Sequence, residues 1–308
     1  MTNTTSNSAA AVQQTSVATG IVQKIRDFAF LVNTIYWEPY TGGSAVVLPR
    51  VSSASSTTSI TSGTAEADAL TPQEYTVNSL TLTPAVKANA FLWSQYIEDT
   101  SSVDLPASIQ IEAAQALIVA LEVSIAGLFA GLPDNGTTGV ALSIGTLDAV
   151  LTALAITALE HKHKAIVVLH PKSFGDLRAE QVSGTGASNA SVFVAGTRNV
   201  LDIFGGAGVA PAGMESGFRG WYANTAIFES ANVQKINSNA DYSGAAYCVS
   251  PGLVDRYAAF AGSMMWMPTV QRYDQGANHI IGSSMLGKIA YNVGEYTEAL
   301  GEEIISGV

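Results

Sequence analysis

DLPASIQIEAAQALIVALEVSIAGLFAGLP, residues 104–133, is followed by TLDAVLTALAITALEHKHK, residues 146–164, and AIVVLHPKSFGDLRAE, residues 165–180. In the first stretch Asp104 and Pro106 are helix-start signals, and Gly131, Leu132 and Pro133 form a stop. The spacing predicts a helix over Ala107–Gly131, about 37 Å long at the usual rise per residue. Its polar residues Ser108, Glu112, Gln115 and Glu122 fall on one narrow stripe, while Ile111, Leu117, Ile118, Leu121, Ile125 and Leu128 occupy the rest. A helix apolar over most of its circumference must be covered on several sides. The stretch approaches the length of a membrane span, but Glu122 at its middle, with Glu112 and Gln115, makes insertion costly. A membrane role is therefore excluded.

The second stretch predicts another helix, with Leu147, Val150, Leu151, Leu154 and Ala158 on one face and Thr146 as its cap; Lys162 and Lys164 suit its C-terminal end. AIVVL is a buried strand by length and branching. His170-Pro171 closes it, and Pro171 opens a helix whose apolar positions are Phe174 and Leu177.

Upstream, Ile21, Ile25, Phe28 and Val32 predict a short amphipathic helix over residues 20–36 that ends before Trp37 and Pro39. Strand-like runs cover Ala45–Val51 and Tyr75–Leu82, the second alternating and rich in β-branched residues. The Ser/Thr-rich tract between them has too few apolar anchors to pack as core; it is a loop or hairpin tip, or alternatively a linker. AVKANAFLWSQYI, after Pro84, is a further extended segment. Downstream, Asn135–Gly139 is a turn-rich break and residues 183–220 are Gly- and Ala-rich loops; Trp221–Phe228, Ala245–Val249 and Met264–Val270 are strands, and SPGLVDRYAAF a short helix. The N-terminal MTNTTSNSAAAVQQTS lacks a secretory signal's basic and apolar regions and reads as a polar arm.

The 308 residues exceed the usual single-core size, and only 13% are charged, where soluble domains average about 25%. A surface so poor in charge fits a subunit covered by neighbours on several sides. A net charge of −11 with scattered Lys and Arg argues against a nucleic-acid-binding surface, though an acidic inner wall can enclose DNA without holding it. Cys248 is the lone cysteine, which forbids an intrachain disulfide and suits a buried thiol in a reducing cytoplasm.

No constellation for catalysis, cofactor or metal binding emerges. On a helix the two-residue spacing of His161 and His163 points their rings apart. His170 reads as a hydrogen-bond partner at a strand end. FGGAGVAPAG lacks the helix signal of a dinucleotide fingerprint. Glu302 and Glu303 point to opposite sides of a strand and read as a solvated face.

The order of parts, with EVSIAGLFAGL, KAIVVLHPKSFGDLRAE and MLGKIAYNVGEYTEALGEEI as the nearest local likenesses, resembles the HK97-type major capsid proteins of tailed double-stranded DNA phages. The resemblance implies an α+β fold: an N-terminal arm (1–41), an E-loop hairpin (42–83), a peripheral domain with a spine helix (84–140), an axial α/β domain (141–260) and return strands shared by both (261–308). It also implies pentamers and hexamers that close an icosahedral head in the virion, assembled in the host cytoplasm with portal, terminase, scaffolding and possible cement proteins. The short, uncharged N-terminus departs from members that carry a cleaved scaffold helix, so a separate scaffold or a processed start is implied. The expected subunit contacts are Val47, Leu48, Arg50, Tyr75, Val77 and Leu80 on the hairpin and Glu122 on the spine. Some members cross-link their shells through a hairpin Lys, and between Gly42 and Thr83 this chain has Arg50 but no Lys. The rivals are an encapsulin compartment of the same fold and an α/β enzyme using the 183–217 region.

Overall fold

The computed structural model describes residues 30–51, 77–94, 105–161, 164–183, 217–222, 225–249, 258–275, 282–295 and 300–308. The expected helix before residue 30, the polar tract 52–76, the Gly/Ala-rich stretch 184–216 and most of SPGLVDRYAAF lie outside these residues.

The long helix is α1, Leu105–Ala126, 22 residues and about 33 Å. It ends earlier than its apolar run. Gly127 still donates to Val123, but Leu128 turns to Ile125, and the chain tightens into a 3-10 turn at Phe129–Gly131. Tertiary packing explains the change: the Phe129 ring lies 5.7 Å from Tyr247 and 5.9 Å from Phe260. α2 is Ile144–His161 and α3 is Pro171–Ser183. The cap of α2 is Ser143, not Thr146: the Ser143 hydroxyl accepts the Thr146 amide at 3.2 Å, and the Glu180 carboxylate of α3 accepts the Ile144 amide at 2.7 Å. Lys164 opens the next strand rather than closing α2.

One sheet of four strands runs in the order β1 (Tyr36–Pro39), β11 (Phe260–Gln275), β12 (Gly282–Glu295), β4 (Ala85–Ser94). β1 lies parallel to β11, and the other pairs are antiparallel. The expected strand Met264–Val270 is thus only the middle of β11. Register shifts flank Trp266, so Met267 and Pro268 fall where the ladder is interrupted, which is where a proline is tolerated. The residues just before β1, Phe30–Thr34, form a 3-10 turn.

The larger, mixed sheet runs β5 (Asp134–Gly136), β13 (Gly301–Gly307), β10 (Asp241–Val249), β6 (Lys164–Leu169), β8 (Thr225–Glu229), β7 (Phe218–Tyr222), with β9 (Lys235–Ile236) beside β10. Two expectations change here. Trp221–Phe228 is not one strand but parts of two antiparallel ones, with Tyr222 paired to Thr225. The turn-rich break after Pro133 begins as β5, which pairs in parallel with β13. β2 (Val46–Val51) and β3 (Val77–Leu82) form a separate antiparallel ribbon, Val46 opposite Leu82 and Val51 opposite Val77.

β10 is buried along its whole length, as the centre of the larger sheet should be. Alternation sends Tyr247 toward Phe129 and Phe260, whereas Ser306 on β13 meets Ser173 of α3 at 2.5 Å on the other face. The four-stranded sheet is joined to α1 through Tyr291, whose hydroxyl donates to the Ala120 carbonyl at 2.9 Å.

Candidate assembly surfaces

Period-two alternation gives the β2–β3 ribbon one inward and one outward face. Leu48 and Leu82 are buried with Tyr36, Ala258 and Ala261, and Leu80 packs against them. The ribbon seats on Gly294 of β12, where an added Cβ would stand 3.1 Å from both Leu80 and Leu82. Leu48 and Leu80, expected as contacts to a neighbour, therefore anchor the ribbon to its own chain. Val47 on the opposite face is 59% exposed. Arg50 and Val77 pair with Asn78 and Val51 at the far end of the ribbon, and Tyr75 lies outside the described residues.

Glu122 is the contact expected on the spine helix. It is buried, and its partner is in its own chain: Asn232 donates to its Oε2 at 2.7 Å. Burial raises its pKa, and the Asn232 hydrogen bond and the nearby backbone of Leu31 and Phe30 oppose the rise. The turn after β8 covers this half of α1, with Gln234 donating to the Val123 carbonyl at 3.1 Å. The open stripe of the helix lies nearer its start and carries Ile111, Glu112, Gln115 and Val119.

A further surface was not singled out from the sequence. β4 sends Asn89 and Trp93 toward α1, where Asn89 donates to the Ala113 carbonyl and Trp93 packs on Ala114 and Ile118. Its alternate residues, Val86 and Leu92, face away, and Leu92 is 68% exposed. Register places Val86, Ala290 and Trp266 in one row across three strands, so half-exposed Trp266 extends the same outer face. The signal was present in AVKANAFLW, which is apolar at both parities, as a strand covered on both sides would be.

Of the groups considered for chemistry, His170 and Cys248 have structural roles, while His163 and FGGAGVAPAG lie outside the described residues. His170 Nδ1 accepts the Lys172 amide at 3.1 Å, capping α3, and its ring stacks 3.6 Å from that of Tyr242. Cys248 is buried, and burial pushes its thiol up to about 12. Among the described residues no group of three His, Cys, Asp or Glu is placed to hold a metal. Glu303, expected on a solvated face, is buried, because β5 covers the edge of β13 on that side.

No family model and no curated sequence matches the chain. Solved structures do. The capsid of Ralstonia phage GP4 matches at TM-score 0.61 with 9% identity, over 92% of each chain. The capsid of a native GTA particle matches at 0.62 with 11% identity, over 91% of this chain and 90% of that one. The holo-SrpI encapsulin complex from Synechococcus elongatus matches at 0.58 with 14% identity, over 91% and 87%. With a spine helix laid on a four-stranded sheet, a mixed sheet beyond it and a projecting two-stranded ribbon, the chain has the α+β HK97-type fold.

Proposed function

We propose that this chain is a major capsid protein that self-assembles into pentamers and hexamers of an icosahedral phage head around double-stranded DNA. The observation that carries the reading is the ribbon. It is fastened at its base by Leu48, Leu80 and Leu82 and presents Val47 outward, so it is held firmly enough to reach a neighbour with little ordering cost. The outer face bearing Val86, Leu92 and Trp266 supplies a second, different apolar patch. Two unlike patches on one subunit are what a heterologous, ring-forming contact needs. Portal, scaffolding and cement proteins are partners proposed with the role, and the virion is the proposed location. No enzymatic activity is proposed: the buried thiol of Cys248 and the capping His170 are engaged in packing.

The likeness to an encapsulin complex, at the same level as those to phage capsids, favours a second reading, a protein compartment around an enzyme cargo. Electron microscopy of the chain, expressed with and without its gene neighbours, tests both. Closed shells that package DNA in the presence of a portal support the capsid; shells filled with one co-expressed protein support the compartment. A monodisperse monomer under every condition would refute both.

A further inference from the structure

Four strands end the paths of the two main sheets, and three of them are short or interrupted, as edges usually are. β1 has four residues and carries Glu38 and Pro39; β5 has three; β7 has five, with a register shift between Phe218 and Gly220. β4 is different. Its ten residues keep unbroken register with β12, from Ser94 opposite Gly282 to Ala85 opposite Tyr291, with no proline and a single charge, Lys87. No described strand lies beyond it, so alternate residues of β4 aim their N–H and C=O groups away from β12, at an open edge.

The side chains flanking that edge are apolar as well. On the inner face Trp93 packs on Ala114 and Ile118 of α1. On the outer face Val86 is 55% exposed, Leu92 is open too, and exposed Ala88 and Ala90 lie between them. This outer row is nearly symmetric about Asn89, with a small residue on either side and a larger apolar one beyond. A strand patterned alike in both directions is complementary to itself.

Two-fold symmetry then sets the register. Two copies of β4 related by such an axis pair antiparallel, and one residue must face its own copy. With Asn89 on the axis, Val86 stands opposite Leu92 twice and Ala88 opposite Ala90 twice, so the exposed apolar residues become direct cross-strand neighbours. Lys87 stands opposite Phe91. The two lysines are then about 13 Å apart along the strands, beyond the screening length of about 8 Å in physiological salt. Asn89 donates to the Ala113 carbonyl at 3.2 Å, while its Oδ1 has no hydrogen-bond partner among the described residues. Across the axis it gains a second carboxamide beside it.

We propose that β4 is a self-complementary docking edge, which pairs antiparallel with β4 of a second copy about Asn89 and joins the four-stranded sheets of two subunits into one. Backbone hydrogen bonds hold the contact, and the Val86–Leu92 pairs fix its register. The inference rests on the reading that the chain self-assembles, but not on whether the shell is a capsid or a compartment.

The test is disulfide trapping in assembled particles of the full-length chain. Val86→Cys/Leu92→Cys, oxidised and run on a denaturing gel without reducing agent, should give a species of twice the chain mass and stop there, because both bridges join the same two copies. Each single variant should give at least tenfold less, since Val86 and its symmetry mate, like the two Leu92 residues, are about 20 Å apart along the strands, too far for a disulfide. Intact shells with no dimer from the double variant, or with equal dimer from a single one, would overturn the pairing and leave self-assembly standing. A chain that stays monomeric under the electron microscope would refute both. If the double variant does not assemble, amide exchange of residues 85–94 in wild-type material decides: alternate amides should exchange rapidly in the dissociated subunit and become protected at least tenfold in the shell. Unchanged exchange there would overturn the pairing.

Discussion

Asn232 donates its side-chain amide to Glu122 at 2.7 Å and so ties the turn after β8 to the last turn and a half of α1. The contact is internal, and the backbone of Phe30 and Leu31 lies close to the same carboxylate.

Glu122→Ala should therefore weaken the subunit itself, before any effect on assembly. It removes the acceptor from Asn232; a donor left unsatisfied costs about 1–3 kcal/mol. Glu122→Gln keeps the size and part of the network and should cost less. Because burial raises the Glu122 carboxyl, its stabilising protonated form is lost as pH rises, and the Gln variant should show a shallower decline. Denaturant midpoints of the three proteins at two pH values check this.

Leu121 is completely buried one residue earlier on α1. Leu121→Ala should cost about 2–5 kcal/mol, the range for cavities opened in packed cores. Subunit stability indifferent to the change would contradict a buried spine.

Which parts of this were legible in advance follows from what sets each feature. α1 and its start were readable because Asp104, Pro106 and a run of apolar residues act locally. Its end at Ala126 was not, since Leu128 and Phe129 continue the apolar pattern and only the distant rings of Tyr247 and Phe260 draw Phe129 into a tighter turn. Glu122 lies at the edge of the polar stripe, and its angle on the helix was readable. What covers that angle is Asn232, 110 residues later. The ribbon's alternation was equally plain, but that Leu48 and Leu80 face inward depends on the absent side chain of Gly294. Glu303 was misplaced because an acidic residue at a strand edge is ordinarily solvated, and nothing local announces that β5 will cover it.

Val47 offers the direct test of the ribbon as an assembly surface. Val47→Lys places a charge on the open face, away from Leu48 and its anchors, so the subunit should fold with its stability changed by no more than about 0.5 kcal/mol. Shell formation should fail or require much higher protein concentration. Deleting residues 52–67, in the tract beyond the ribbon, should likewise spare folding and block closure. Normal shells from both variants, seen by electron microscopy, would remove the ribbon from the contact.

Cys248 should resist labelling. Its thiol is buried on the central strand and pushed up to about 12, so the reactive thiolate is scarce at neutral pH. A thiol reagent at pH 7.5 should modify the chain only after denaturant is added, and mass spectrometry gives the count. Rapid modification of the native subunit would show that the core around β10 opens readily.

The last expectation concerns what holds a shell of these subunits together. An amide cross-link formed from the hairpin needs a free amine there, and between Gly42 and Thr83 the chain has Arg50 but no Lys. A guanidinium stays protonated near neutral pH and is a poor nucleophile, so Arg50 cannot substitute. Lys87 is the nearest amine beyond the ribbon, but it belongs to β4, paired across to Ile289 in the middle of the four-stranded sheet, and does not travel with the ribbon. Cohesion should therefore come from apolar burial, through surfaces such as Val47, Leu92 and Trp266, or from a separate cement protein. Boiling mature particles in detergent should release a single band near 32.0 kDa. A ladder of multimers that survives reducing agent would show a covalent bond and reassign the shell's stability to it.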